Sequence, residues 1–231
     1  ADASGLELRA LGHWLAYYDG GEYAELVSDP DRDIHFHNAC LFGIHERGKE
    51  IPKLTRDLSK RLIYCVLYGG GAKKTGSIIA PKESEHKQYE KGKQTIDTFY
   101  QNLPAIKKLK DQVESTLSKR DYLVGIDGRH LQIRSKHSAL NQLLQSTGAI
   151  TVKKATTILY DDMTDRGLKF FKDWGFVAHV HDEYQCLLRP EYTDLFQELA
   201  IDSFRKSGEY FNLKCPLTGE AKIGKNWCET H

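Results

Sequence analysis

The chain has 231 residues, which is long enough for one large domain or two small subdomains. A hydrophobic fraction of 40% and a charged fraction of 28% are ordinary for a globular protein. No apolar run reaches the length of a membrane span and no signal-peptide pattern is present, so a membrane partner is not expected. The net charge of +1 neither favours nor excludes nucleic acid, and five cysteines without a CxxC pair favour reduced thiols in a cytoplasmic compartment.

Hydrophobic periodicity and turn residues predict a chain in which helices dominate. Helices are expected, in chain order, at 6–18, 35–42, 52–69, 82–100, 104–118, 140–162 and 190–210. An Asp127-Gly128 turn predicts a hairpin over 124–134, the apolar runs of 176–188 predict a second hairpin, and a last strand is expected at 221–224. We therefore expect an α+β fold with a small antiparallel sheet.

The helix predicted at 52–69 carries a distinctive spacing. Arg56, Lys60 and Tyr64 recur every four residues, so they lie on one slowly drifting stripe that is about 12 Å long. Two cations followed by an aromatic ring suit a nucleoside triphosphate lying along the helix, with its phosphates on the cations and its sugar or base on the ring. A solvated basic face with an aromatic edge explains this helix, taken alone, equally well.

Acidic side chains are expected at two strand ends. Asp2 precedes the first helix, and Asp182 with Glu183 lies in the tight turn of the 176–188 hairpin. A lone aspartate in a turn usually serves the turn itself, but paired carboxylates repel one another and need a cation nearby. If Asp2 lies on the strand next to this hairpin, the two aspartates converge. They then suit two divalent ions about 3.5–4 Å apart, and hard oxygen ligands favour magnesium over zinc.

Three other patterns compete with this interpretation. His179 and His181 share one face of a strand and, with Asp182, resemble an HxHD metallohydrolase site, but no further histidine-rich motif completes it. The segment His35-Phe36-His37 invites a zinc interpretation with similarly little support. Tyr160-Asp161-Asp162 resembles a signature of reverse transcriptases. It falls at the C-terminal end of a predicted helix and not in a hairpin, so a solvated acidic helix end is expected there.

Three segments, taken in order, resemble the motifs of family A DNA polymerases, the DNA polymerase I family. Residues 2–9 (DASGLELR) resemble motif A, residues 56–69 (RxxxKxxxYxxxYG) resemble the motif B helix, and residues 180–183 (VHDE) resemble motif C. Each motif alone is moderately specific, but all three at this spacing are very specific. The resemblance covers essentially the whole chain. It is most similar to the replicative polymerases of short-tailed bacteriophages in the sequence of motif A, Tyr64 in place of Phe, the LNxxLQS pattern of 140–146 and the ending at 224–227.

The resemblance implies a right-hand polymerase fold from which the thumb and exonuclease are absent. Residues 1–30 and 136–231 would form the palm, with motif C in the 176–188 hairpin, and residues 31–135 would form the fingers, with motif B at 52–69. The implied activity is template-directed DNA synthesis, in which a nucleotide passes from a dNTP to a primer 3′-hydroxyl. The implied cofactor is a pair of Mg²⁺ ions, for which Mn²⁺ can substitute. Primer–template DNA and dNTPs are the expected partners, in the cytoplasm of a bacterial or phage-infected cell.

The resemblance also implies catalytic roles for individual residues. Asp2 and Asp182 would be the two metal-ligating carboxylates, and the Ala3 carbonyl would be a further ligand. Glu183 would be the acidic neighbour at the primer end. Lys60 would be a candidate proton donor to the leaving pyrophosphate.

Nucleotide and DNA contacts are implied for the remaining motif residues. Arg56, Lys60 and His35 would hold the triphosphate. Tyr64 and Glu7 would together exclude a ribose 2′-hydroxyl, and a tyrosine at this position is associated with tolerance of 3′-deoxy sugars. DNA contacts are expected at Tyr68 and Gly69 on the template side, at Asn141 and Gln145 in the minor groove, and at His181 on the primer backbone.

Family members carry a thumb, the first part of the palm and usually an exonuclease domain upstream of motif A. Without the thumb the chain alone should bind DNA weakly, and Asp2 would lie at a frayed end unless another chain orders it. We therefore expect a split polymerase, whose second polypeptide supplies the missing parts and without which this chain could be inactive. A piece of a longer enzyme is the alternative origin. The alternative functions are a magnesium-dependent nuclease or phosphohydrolase, and a non-catalytic nucleic-acid-binding subunit.

Overall fold

The structure is a computed structural model that describes residues 1–230. Its helices are α1 (Leu6–Asp19), α2 (Glu22–Ser28), α3 (Ile34–Leu41), α4 (Lys53–Leu67), α5 (Ala72–Ile79), α6 (Glu85–Asn102), α7 (Pro104–Leu117), α8 (Ala139–Asp165), α9 (Thr193–Tyr210) and α10 (Trp227–Thr230). Its strands are β1 (Asp2–Ala3), β2 (Tyr122–Val124), β3 (His130–Gln132), β4 (Trp174–Val180), β5 (Glu183–Leu188) and β6 (Gly219–Glu220). None of the helices in this part of the chain has both the length and the apolar character needed to cross a bilayer.

The predicted α+β fold class is confirmed, and every helix expected from the sequence is present within a few residues of its predicted ends. Helices α2, α5 and the four-residue α10 were not predicted. α2 has only seven residues, too few for a clear periodicity, and α5 follows three glycines that indicate a break. The first strand of the predicted 124–134 hairpin begins earlier, at Tyr122.

The strand predicted at 221–224 was placed wrongly, because the pairing segment is β6 at Gly219–Glu220. Gly219 lies so close to α9 and β1 that an added Cβ would overlap the Phe204 ring and lie 2.8 Å from the Asp2 carbonyl oxygen. Only glycine permits this approach of β6 to β1. The apolar pattern of 221–224 does not reveal it.

The main sheet has the strand order β4-β5-β1-β6, and each pair is antiparallel. A two-residue turn, His181-Asp182, joins β4 to β5, and His181 has the left-handed φ of 55° that such a tight turn favours. β1 lies between β5 and β6, and Ala1 extends its pairing by exchanging two backbone hydrogen bonds with Tyr184, each 2.9 Å long. The sheet therefore holds the start of the chain at its centre.

Two clusters of buried side chains form the core, and α8 runs through both. The first cluster packs α1, α4, α6 and α7 against the N-terminal half of α8, and the second packs the sheet and α9 against its C-terminal half. Each fully buried aliphatic or aromatic side chain stabilises the fold by about 1.5–3 kcal/mol. Because α8 belongs to both clusters, it fixes the position of α4 relative to the sheet.

Glycines allow α5 and α6 to cross at backbone contact distance. A Cβ on Gly92 would lie 2.6 Å from the Gly76 backbone nitrogen and would overlap the Ala72 carbonyl. A Cβ on Gly76 would overlap the carbonyl of Gln88. Backbone atoms cannot move aside as a flexible side chain can, so both positions need glycine.

We predict that Gly92→Ala lowers the free energy of unfolding by about 1–3 kcal/mol, the usual range for overpacking a tight contact. Denaturant unfolding followed by circular dichroism measures the change. Gly71→Ala is the matched control, because Gly71 has a negative φ and no atom within 4 Å of an added Cβ. Equal stability of the two variants would contradict this account of the crossing.

Candidate active site

The acidic side of the site is built where β1 enters the sheet. Asp2 is in register with Glu183 of β5 on one side and with Glu220 of β6 on the other. The Ala3 amide donates a 3.1 Å hydrogen bond to the Asp182 carbonyl. Ala3 itself is buried in the second core cluster, which anchors the strand. Asp2 thus lies on the strand next to the hairpin, which is the condition on which convergence with Asp182 depended.

Carboxylates outnumber cations in the cleft that this arrangement creates. The cleft has a volume of about 280 Å³ and is lined by Ala1, Asp2, Asp182, Glu183, Glu220, Lys222 and Thr230. Burial, followed by the charges of Asp182 and Glu183, raises the pKa of Asp2, and the Ala1 ammonium opposes this shift. The cleft therefore has an electrostatic need for a bound cation.

The donor atoms of the cleft suit a hard divalent cation. Within residues 1–230, no group of three or more His, Cys, Asp or Glu side chains is arranged to hold a metal ion. In this part of the chain, no cluster of ligands therefore supports the metal-site interpretation of His179 with His181 or the zinc interpretation of His35 with His37. A pair of aspartates still fits magnesium, which is commonly held by one or two carboxylates together with substrate phosphates and water.

The basic side of the site lies along α4. Lys60, Tyr64 and Tyr68 open on a cleft of about 610 Å³, whose full lining is Lys60, Arg61, Tyr64, Cys65, Tyr68, Gly70, Lys74 and Ile78. Lys60 is exposed and, among the described residues, has no hydrogen-bond or ion-pair partner. The rings of Tyr64 and Tyr68 lie 6.0 Å apart between centroids. The stripe expected from the sequence is therefore an open surface with an uncompensated cation.

The first residue of the stripe, Arg56, is held by the segment before α3. Its Nε donates a 2.6 Å hydrogen bond to Asp33. Burial, followed by the charge of Arg56, lowers the pKa of His35, with smaller contributions from other charges that include Lys60. The His35 Nδ1 atom is buried and has no hydrogen-bond partner in the described structure. His35, Arg56 and Lys60 thus form a group of donors with unused capacity.

Glu7 of α1 lies between the two sides. Its Oε1 accepts hydrogen bonds from the Tyr68 hydroxyl, at 2.5 Å, and from the Gln145 amide. Burial, then Glu7, then Asp182 raise the pKa of Tyr64, and burial followed by the Glu7 hydrogen bond raises that of Tyr68. Both tyrosine hydroxyls therefore lie within electrostatic reach of the acidic cleft. The resemblance led us to pair Glu7 with Tyr64, whereas the structure hydrogen-bonds it to Tyr68 and Gln145.

The remaining predicted residues surround this space. Gly69 ends α4 with a φ of +81°, and an added Cβ would lie 2.5 Å from the His137 carbonyl oxygen, so this turn requires glycine. Asn141 is half-buried, and its Oδ1 has no partner among the described residues. His181 is exposed at the hairpin turn.

Sequence reasoning missed two residues of the site, Asp33 and Glu220. Asp33 caps the N-terminus of α3 and so could have been recognised as a helix start signal. Glu220 gave no signal, because its place beside Asp2 depends on the register of a two-residue strand.

Comparison with known proteins assigns the family. The model for DNA polymerase family A matches residues 1–229, and the chain belongs to this family. It is 37% identical to the DNA-directed DNA polymerase of Enterobacteria phage T3 and 36% identical to that of Escherichia phage T7. Each alignment covers 100% of this chain and 33% of the relative, so the chain spans about a third of the length of these relatives.

A solved structure has the same fold. The POL domain of Pol1 from M. smegmatis, in complex with DNA primer-template and dNTP, matches 99% of this chain with a TM-score of 0.79. The match covers 39% of that chain at 19% sequence identity, which is similarity of fold alone.

We predict that Asp2→Asn raises the thermal unfolding midpoint at pH 7 in EDTA. The pKa of Asp2 is higher in the folded state than in the unfolded chain, so the folded protein binds more protons. This carboxylate therefore costs stability progressively as the pH rises from about 4 past its folded-state pKa, and the gain from Asp2→Asn should vanish below about pH 4.

Calorimetry from pH 4 to pH 8 measures this gain. Asp111→Asn is the control, because Asp111 pairs with Lys107 on an exposed helix face that does not line the acidic cleft. An Asp2→Asn protein that is less stable than wild type at pH 7 would contradict the electrostatic account of the cleft.

Proposed function

We propose that this chain is the palm and fingers of a DNA polymerase that transfers a nucleotide from a dNTP to a primer 3′-hydroxyl on a DNA template. Residues 1–30 and 136–231 form the palm, and 31–135 form the fingers. The observation that carries the proposal is the position of the acidic cleft relative to the α4 stripe. Glu7 accepts a hydrogen bond from Tyr68 at the end of α4, and after burial the charges of Glu7 and Asp182 raise the pKa of Tyr64, so the carboxylates and the α4 stripe border one space.

The acidic cleft would hold two Mg²⁺ ions, or Mn²⁺ in their place. Asp2, Asp182 and the Ala3 carbonyl are the proposed ligands, and Glu183 is the acidic neighbour at the primer end. When bound, the metal ions supply charge that activates the attacking hydroxyl and stabilises the leaving oxygen. The crowding of carboxylates supports this assignment, because Asp2 is destabilised as an anion when no cation is present.

The α4 stripe binds the triphosphate and assists the departure of pyrophosphate. Arg56, Lys60 and His35 contact the phosphates, and the Lys60 ammonium gives a proton to the pyrophosphate oxygen as its bond to the α-phosphorus breaks. The absence of any partner for Lys60 among the described residues supports this role, since its donors are available to a ligand.

Selection of the nucleotide falls to the residues between the two sides. Tyr64 and Glu7 leave no room for a ribose 2′-hydroxyl. The Tyr68 hydroxyl and the Gln145 amide hold Glu7 in position for this selection.

DNA contacts complete the site. We assign them to Tyr68 and Gly69 at the template, to Asn141 and Gln145 in the minor groove, and to His181 on the primer backbone.

In this proposal a second polypeptide supplies the thumb and the rest of the palm, and it is also the candidate carrier of an exonuclease. A magnesium-dependent nuclease or phosphohydrolase would use the same carboxylates on water. It would have no use for the α4 stripe, so we do not favour it.

We predict that Lys60→Ala and Asp182→Asn each lower the rate of primer extension at least about 100-fold, because one removes a proton donor and the other a metal ligand. The assay supplies primer–template, dNTPs, magnesium and the complementing polypeptide. Lys53→Ala is the control, since Lys53 is an exposed lysine at the start of the same helix.

Two outcomes would contradict parts of the proposal. Full primer extension by Lys60→Ala, with loss of extension in Asp182→Asn, would contradict the nucleotide-binding role of α4. Full primer extension by the 231-residue chain alone would contradict the split arrangement, and the assignment of the catalytic residues would stand.

A further inference from the structure

Asp33 makes two contacts that join α3 to α4. Its Oδ1 accepts a 2.9 Å hydrogen bond from the His35 backbone amide, which caps the N-terminus of α3. Its Oδ2 accepts a 2.6 Å hydrogen bond from Arg56 Nε, on the first turn of α4. One carboxylate thus holds the start of one helix and a side chain of the next.

The way in which Asp33 binds Arg56 leaves both Nη groups of the guanidinium available to a ligand. Only Nε is engaged, and the two Nη groups have no hydrogen-bond partner in the described part of the chain. A guanidinium binds phosphate through a fork of parallel donors. Held from the side at Nε, Arg56 can present its Nη donors to an anion without first losing its partner.

The same carboxylate also positions His35. The capping bond fixes the residue where α3 begins, and the buried Nδ1 of its ring has no partner. After burial, Arg56 is the largest influence that lowers the pKa of His35, and the two residues are linked through their hydrogen bonds to Asp33. Asp33 therefore sets the relative position of two donors that lie on different helices.

Stability does not account for this arrangement. The side chains of Asp33 and Arg56 are 34% and 43% exposed, and ion pairs at such positions add little to the free energy of folding. Burial raises the pKa of Asp33, but the Arg56 hydrogen bond and the backbone bonds outweigh it, so the net shift is downward and the carboxylate stays charged. The ion pair instead fixes the orientation of the Arg56 guanidinium.

We propose that Asp33 is a positioning residue for the incoming nucleotide, which aligns Arg56 and His35 so that both meet the triphosphate without reorganisation. The inference rests on the proposed function of α4. Because Asp33 uses Nε of Arg56 and the phosphate uses the Nη groups, Asp33 stays in place when the nucleotide binds.

The decisive variant is Asp33→Asn, because asparagine caps a helix as well as aspartate but lacks the charge that holds Arg56. The chain contains a closely matched control in Asp29. Asp29 accepts a hydrogen bond from the Asp31 amide and pairs with Arg32 Nε, both at 3.0 Å. Asp29→Asn therefore removes the same kind of pair four residues away from the site.

Binding of dTTP with magnesium to the full chain, measured by isothermal titration calorimetry, tests the proposal. We expect Asp33→Asn to weaken binding about tenfold, as loss of one oriented charge-assisted contact would, with an unchanged melting temperature. In primer extension with the complementing polypeptide, the KM for dNTP should rise and kcat should change little. Asp29→Asn should match wild type. In an Arg56→Ala background, Asp33→Asn should have no further effect.

The contrary outcomes are distinct. Wild-type binding by Asp33→Asn, or an equal loss from Asp33→Asn with and without Arg56, would overturn the positioning role and leave the proposed function intact. Failure of the wild-type chain to bind dTTP would overturn the proposed function of α4, and this inference with it.

Discussion

Crowded carboxylates at the centre of a small sheet are the constraint on which the rest of the structure depends. Asp2 is paired with Glu183 on one side and Glu220 on the other, and Asp182 lies at the adjoining turn. Burial, followed by repulsion from Asp182 and Glu183, raises the pKa of Asp2, yet the sheet does not open, because buried Ala3 and Tyr184 anchor β1 and β5 in the second core cluster. Apolar packing thus holds together a concentration of negative charge that a bound cation would relieve.

The long helix α8 and the side chain of Glu7 relate this charge to the cations of α4. α8 contributes to both core clusters, so the sheet and α4 cannot shift independently. Gln145 of α8 donates to Glu7, and Glu7 in turn accepts from Tyr68 at the end of α4. The packed core therefore places the acidic cleft opposite the α4 stripe before any ligand binds. Such preorganised charges can stabilise the charge that develops in a transition state.

The sequence predicted the fold class and seven of the helices, because each depends on local periodicity and turn residues. It did not predict contacts that depend on tertiary packing. Asp33 with Arg56 and Glu7 with Gln145 join residues 23 and 138 positions apart, which no local pattern encodes. The position of β6 was wrong for a related reason, since a two-residue strand is specified by the fit of Gly219 against Phe204 and β1. The site residues were found by family resemblance, and their mutual geometry came from the structure.

The central claim is that the acidic cleft is the metal-binding half of a nucleotidyl-transfer site. The most direct measurement is the thermal unfolding midpoint of the chain as magnesium is added at constant ionic strength, compared with an Asp2→Asn/Asp182→Asn double variant. Binding to the folded state alone raises stability by mass action. The account predicts a midpoint that climbs with magnesium in the wild-type chain and stays constant in the double variant. An equal rise in both proteins, or no rise in either, would contradict it.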